Sequence, residues 1–91
     1  MPAASYTLRY SRTAIRTLES DKIPISVIDA ALAFIETELV ARPRLVGKRL
    51  LPPFDGQWVA RRWSYRITYE ISDRAISIID ITHRSVTYRN P

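Results

Sequence analysis

A chain of 91 residues, 46% hydrophobic and 10% aromatic, has room for one modest core and is too apolar to be disordered. It contains no cysteine, which excludes a disulfide framework and a thiolate metal site, and it shows neither a signal-peptide pattern nor an apolar run near the ~18 residues of a membrane span, so a cytoplasmic protein with no membrane association is expected. The formal net charge of +5 is unevenly spread: residues 1–41 carry four basic and five acidic side chains, residues 42–91 ten and four, which points to a polyanion partner over a merely solvated basic surface.

In chain order, Tyr6–Tyr10 alternates Tyr6, Leu8 and Tyr10 against Thr7 and Arg9, the period of a short strand. Ser11 stands where a helix cap belongs, ahead of Ala14, Ile15 and Leu18 at helical spacing, and Ser20-Asp21-Lys22 ends that helix. Pro24 suits the first turn of a second helix, whose apolar stripe is Ile25, Ile28, Leu32, Ile35 and Leu39, widened by Val27, Ala31 and Phe34 and bounded by Pro43. Residues 42–56 hold Pro43, Gly47, Pro52, Pro53 and Gly56 and read mostly as loop. That loop also carries Arg42, Arg44, Lys48 and Arg49, and its length suits either a binding segment or a solvated connector.

A strand over Gln57–Trp63 sets Trp58, Ala60 and Arg62 on one face and Val59, Arg61 and Trp63 on the other. Ser64 makes a tight turn into Tyr65–Ile71, where Tyr65, Ile67, Tyr69 and Ile71 alternate with Arg66, Thr68 and Glu70, as in a half-buried antiparallel strand. Ser72-Asp73-Arg74 turns the chain into Ala75–Thr82. Isoleucines at 76, 78, 79 and 81 fall on both faces there, the mark of a central strand or of one with a bulge. Val86–Arg89 suits a short final strand or a tail across the sheet. The expected fold is α+β, a single domain over residues 1–91: an N-terminal strand, a two-helix hairpin, then a three- to four-stranded antiparallel sheet with the helices on one face.

The sheet and its tail bring together Arg61 or Arg62 with Arg66, His83, Arg84 and Tyr88. Neighbouring strands lie about 4.8 Å apart, so such side chains can meet without a deep pocket. Arginine forks hold phosphate oxygens through paired hydrogen bonds, and histidine exchanges protons near neutral pH. Each residue also has a plainer role: His83 can cap or fill a strand end, Arg66 can bridge to Glu70 along its own face, Tyr88 can simply pack, and Trp58 and Trp63 fit packing better than base stacking. One histidine, no cysteine and four scattered carboxylates in residues 42–91 do not make a metal-ligand set, and no G-x-S-x-G, P-loop or dinucleotide motif occurs, so no cofactor is expected.

Gly47-Lys48, Gly56-x-Trp58-x-x-Arg61-Arg62, Tyr65-Arg66-Ile67-x-Tyr69-Glu70-Ile71 and His83-Arg84 with Tyr88-Arg89 together resemble the RelE/ParE superfamily of toxins from type II toxin–antitoxin systems, over nearly the whole chain. The resemblance implies a compact α+β fold like that of small microbial ribonucleases. In its RelE branch it implies metal-independent cleavage of messenger RNA on the ribosome, with the ribose 2′-hydroxyl as nucleophile. Arg66 then corresponds to the arginine on the scissile phosphate and Arg84 to one that stabilises the transition state. His83 corresponds to a histidine used for acid–base work in one branch, Tyr88 to a tyrosine that stacks on a base or assists proton transfer, and Lys48 and Arg61 to cations on the RNA, with Arg49, Arg62 and Arg89 as further RNA-binding cations of this chain. Two departures stand out: Ser64 replaces the usual glycine before Tyr-Arg, and Arg49-Leu50 stands where one branch has a glutamate base. The resemblance further implies a cognate antitoxin, in a heterodimer or heterotetramer, that lays an amphipathic helix or extended segment on the toxin. Its ParE branch implies a different target, DNA gyrase, with no nuclease chemistry.

Overall fold

The computed structural model describes residues 6–54 and 56–83. Arg84, Tyr88 and Arg89, and the segment 86–89, lie outside the described residues. The chain runs β1 (Thr7–Tyr10), α1 (Arg12–Leu18), α2 (Ile25–Phe34) with a π-helical continuation (Ile35–Leu39), α3 (Pro43–Val46), β2 (Lys48–Arg49), β3 (Trp58–Arg62), β4 (Tyr65–Ile71) and β5 (Ala75–His83). Among the described residues no helix is long and apolar enough to cross a membrane.

The described strands form one five-stranded sheet in the order β1-β5-β4-β3-β2. It is mixed, with one strand more than the upper count expected. The meander β3–β4–β5 is antiparallel as the alternation requires, whereas β1 returns to pair parallel with β5. Strand β5 is therefore central, and it also carries the bulge: Tyr69 pairs with Ile78 and Thr68 with Asp80, leaving Ile79 opposite no residue. That extra residue resets the alternation, so Ile76, Ile78 and Ile81 all turn to the buried face. Ser11 supports the irregularity. Its Oγ accepts from the Ala14 amide at 3.0 Å as the cap of α1 and donates to the Ile79 carbonyl at 2.5 Å.

The core lies between this face and the helices: Ala60, Tyr65, Ile67, Tyr69, Ile76, Ile78 and Ile81 from the strands meet Ala14, Ala31, Phe34, Ile35 and Leu39. The 42–56 segment is more ordered than its composition suggests. Pro43, with its preset φ, opens α3, and the Arg42 carbonyl accepts from Leu45 and Val46. Lys48 and Arg49 then pair with Val59 and Trp58 as an edge strand. The β3–β4 turn holds Trp63 at φ 51°, 81% exposed, in a region that favours glycine.

Candidate nucleic-acid interface

Register fixes which side chains share a face. Arg61 pairs with Arg66, and Ala60 with Ile67. Since Ala60 and Ile67 are buried under the helices, Arg61 and Arg66 point to the opposite, outer face. Lys48, paired with Val59, lies on that outer face one side-chain position from Arg61. Two guanidinium groups stand directly across a strand pair, where like charges repel, and an ammonium sits on their diagonal. Among the described residues none of the three is in an ion pair; the one that forms joins Arg62 to Glu38. Lys48 and Arg61, with Arg49, Val46, Gly47, Leu50 and Val59, also line a cleft of about 540 Å³.

The bridge from Arg66 to Glu70 does not form: four residue steps along the strand set their Cα atoms roughly 13 Å apart. Asp80 and Thr82 of β5 share the outer face, opposite Thr68 and Arg66. Arg49 belongs to the other alternation and lies over the Trp58 ring, 6.0 Å from its centroid. Trp58 in turn stacks on Tyr69 at 6.5 Å and 23°, so it packs and offers no free platform.

His83 and Arg62 are not brought to the outer face. His83 pairs with Tyr65, is 7% exposed, and its Nε2 is 3.0 Å from Ser64 Oγ in the β3–β4 turn. The strand period that sends Arg66 and Thr82 outward sends His83 inward. Arg62 also pairs with Tyr65 and lies over the Phe34 ring at 4.7 Å and the Trp63 ring at 5.5 Å. Its Nη2 donates to Glu38 Oε1 at 2.7 Å. It ties the helical layer to the hairpin, and an arginine so engaged is not a loose RNA-binding cation.

Residues 8–88 match the ParE toxin family of the type II toxin–antitoxin system parDE. The chain is 36% identical over 86 residues to Toxin RelG of Mycobacterium tuberculosis, covering 92% of this chain and 97% of that one. It is 35% identical over 89 residues to Toxin RelE of the same organism, covering 94% and 90%. The chain belongs to the RelE/ParE toxin superfamily. Its RelE-like side is further supported by the toxin–antitoxin complex RelBE2 of M. tuberculosis, matched at TM-score 0.83 and 35% identity over 89% of this chain and 100% of that one. The intact Escherichia coli RelBE complex, at 19% identity and TM-score 0.68 over 87% and 96%, shares the fold.

In this RelE/ParE toxin, two residues that the sequence offered only as members of the shared motifs, with no role of their own, shape the interface. Tyr69 reads there as a core aromatic and Gly47 as a loop breaker. The Tyr69 hydroxyl donates to the Pro43 carbonyl at 2.5 Å, and burial pushes its pKa up to about 12. Gly47 lies against that phenol so closely that a Cβ could not fit. A strand tyrosine whose ring must end beside a Gly-Lys step is a long-range relation, invisible to local patterning.

Proposed function

We propose that this toxin is a metal-independent endoribonuclease that cleaves messenger RNA on the ribosome and so arrests translation. The observation that carries the proposal is the repelling Arg61–Arg66 pair with Lys48 beside it on the outer face. Such a cluster is stabilised when one anion sits between its members, and a backbone phosphate matches the guanidinium geometry. The identity to toxins RelG and RelE supports the same reading.

In the proposed reaction the ribose 2′-oxygen attacks the adjacent phosphorus and loses its proton. The bond to the 5′-oxygen breaks, that oxygen takes a proton, and a 2′,3′-cyclic phosphate remains. Arg66 and Arg61 hold the phosphate oxygens as charge builds on them, Arg84 joins them on the phosphorane, and Tyr88 assists proton transfer. Lys48 and Arg89 bind flanking phosphates, while Arg49, on the other alternation over Trp58, is not assigned to them. Alignment and charge stabilisation supply most of the rate. The inward-facing His83 is assigned to the hairpin turn in this proposal, and Arg62 to the helix–sheet contact.

Primer extension on translated message tests the reading. Arg66→Ala should lower cleavage by about 10²–10³-fold with the fold intact. His83→Gln, assayed below its unfolding midpoint, should keep cleavage within about tenfold of wild type. Undiminished cleavage by Arg66→Ala would sink the mechanism. The match to the ParE family keeps a second reading in view, inhibition of DNA gyrase without nuclease chemistry. A supercoiling assay run beside primer extension separates the two. The relatives crystallised as toxin–antitoxin complexes support a cognate antitoxin for this chain as well, with a small acidic protein that covers the cationic face as the expected partner.

A further inference from the structure

Lys48 reaches the interface on an edge strand of only two residues, Lys48–Arg49, extended by one more hydrogen bond from the Leu50 amide to the Gln57 carbonyl. A ladder that short does not hold a position by itself. What lies beneath it is Tyr69, from β4 two strands away and fully buried. Its side chain crosses under β3, and its hydroxyl bonds to the carbonyl of Pro43, the first residue of α3. Gly47, the last residue before Lys48, rests on the same phenol. A Cβ there would fall closer to the Tyr69 hydroxyl than any real Cβ contact, and 3.0 Å from both Tyr69 Cζ and the Val59 carbonyl oxygen. The third attachment is the pile of Arg49 on Trp58 on Tyr69.

We infer that Tyr69 and Gly47 form a clamp that seats the α3–β2 segment and thereby sets Lys48 beside the Arg61–Arg66 pair, making both of them positioning residues for the binding of the RNA phosphates. The inference rests on the ribonuclease reading for its consequence, though the clamp itself is a matter of packing. Glycine is required at 47 by the approach of the phenol: its φ of −124° is open to any residue. The hydroxyl is required at 69 because it donates to the Pro43 carbonyl from within the core. Alanine at 47 and the hydroxyl at 69 compete for one space, so their effects must be coupled.

The test uses purified full-length wild type, Tyr69→Phe, Gly47→Ala, the double variant and Lys48→Ala. Each is studied below its unfolding midpoint for amide exchange at residues 43–50, for affinity to a labelled single-stranded RNA over a salt series, and for message cleavage. Tyr69→Phe should speed exchange at 47–50 and weaken RNA affinity about fivefold. Its log–log salt slope should fall by about 0.7, one phosphate contact, as in Lys48→Ala. Gly47→Ala should weaken affinity more than Tyr69→Phe does, and adding Tyr69→Phe to it should recover part of the loss, because the hydroxyl that collides with the new methyl is gone. A purely structural tyrosine would lower the melting temperature and leave the salt slope unchanged; that result overturns the inference, as does strict additivity of the two substitutions. If wild type neither binds RNA nor cleaves message, the ribonuclease reading and the Lys48 consequence fail. Coupled exchange and stability effects at 47 and 69 would then still uphold the clamp, and their absence would remove it.

Discussion

Arg61 and Arg66 are the residues whose placement makes least sense for stability and most for binding. Their Cα partnership across β3 and β4 sets two permanent cations on one face, which costs a fraction of a kcal/mol to about 1 kcal/mol. Arg61→Thr, which keeps a strand-favouring residue, should therefore raise the thermal midpoint by about 2–4 °C while weakening RNA binding. A calorimetric scan beside a binding curve checks both signs; a lowered midpoint would mean that the pair is not repulsive. Tyr69 gives a second residue-level expectation. Its folded pKa of about 12 stands above the ordinary 10.0, so the unfolded chain releases the phenolic proton first as pH rises. The stability linked to that proton is complete below pH 10 and drains away between about 10 and 12. Alkaline unfolding followed from pH 9 upward should be shallower in Tyr69→Phe, even though that variant starts about 1 kcal/mol less stable at neutral pH for want of the Pro43 hydrogen bond.

Among the elements, β5 organises the most contacts through its irregularity. The bulge at Ile79 lets three isoleucines face the helices, and the Ile79 carbonyl accepts a hydrogen bond from a side chain. Ser11 bonds that carbonyl with the same hydroxyl that caps α1, so one side chain joins the first helix to the central strand. Ser11→Ala should cost about 1–2 kcal/mol, the sum of a lost cap and an unmet carbonyl, and Ser11→Thr should keep most of it. Urea titration of the two variants discriminates: an equal loss in both would show that the hydroxyl is not what matters. The β3–β4 hairpin is held in a comparable way. Trp63 occupies a left-handed conformation unsuited to a bulky residue, and the ring contacts with Arg62 and Tyr65 offset part of that strain.

For the molecule as a whole, the helices screen one face of the sheet, and the outer face carries Lys48, Arg61 and Arg66, with Asp80 the acidic counterpart among its β5 residues. Binding through such a face releases counterions from RNA, so the logarithm of the affinity should fall linearly with the logarithm of salt. Replacing all three cations with alanine should flatten that slope by about 2 for a single-stranded RNA, and an unchanged slope would locate the interface elsewhere.

The strands and the capped helix were legible in the chain because they depend on neighbours two to four residues away; the amphipathic stripe was legible only in part, since Ile35 and Leu39 enter the core with Ala31 and Phe34 while Ile25 stays 76% exposed. The bulge was legible as one of two ways to accommodate isoleucines on both faces, and β5 proved to have both a central place and a bulge. The superfamily was legible from spaced glycines, tyrosines and arginines. Relations across the sheet were not. Nothing local says that β1 pairs parallel with β5, that α3 and β2 condense out of a proline-rich loop, or that Arg62 spends its charge on Glu38 while Arg61 keeps its own free of any ion pair among the described residues. His83 shows the limit most plainly. Residue type and neighbourhood allowed it either proton transfer or a place filling the strand end, and only the register of β5 shows it turned inward against Ser64. Which face a side chain takes depends on strand pairing and on a single inserted residue, and pairing is settled only when distant segments meet.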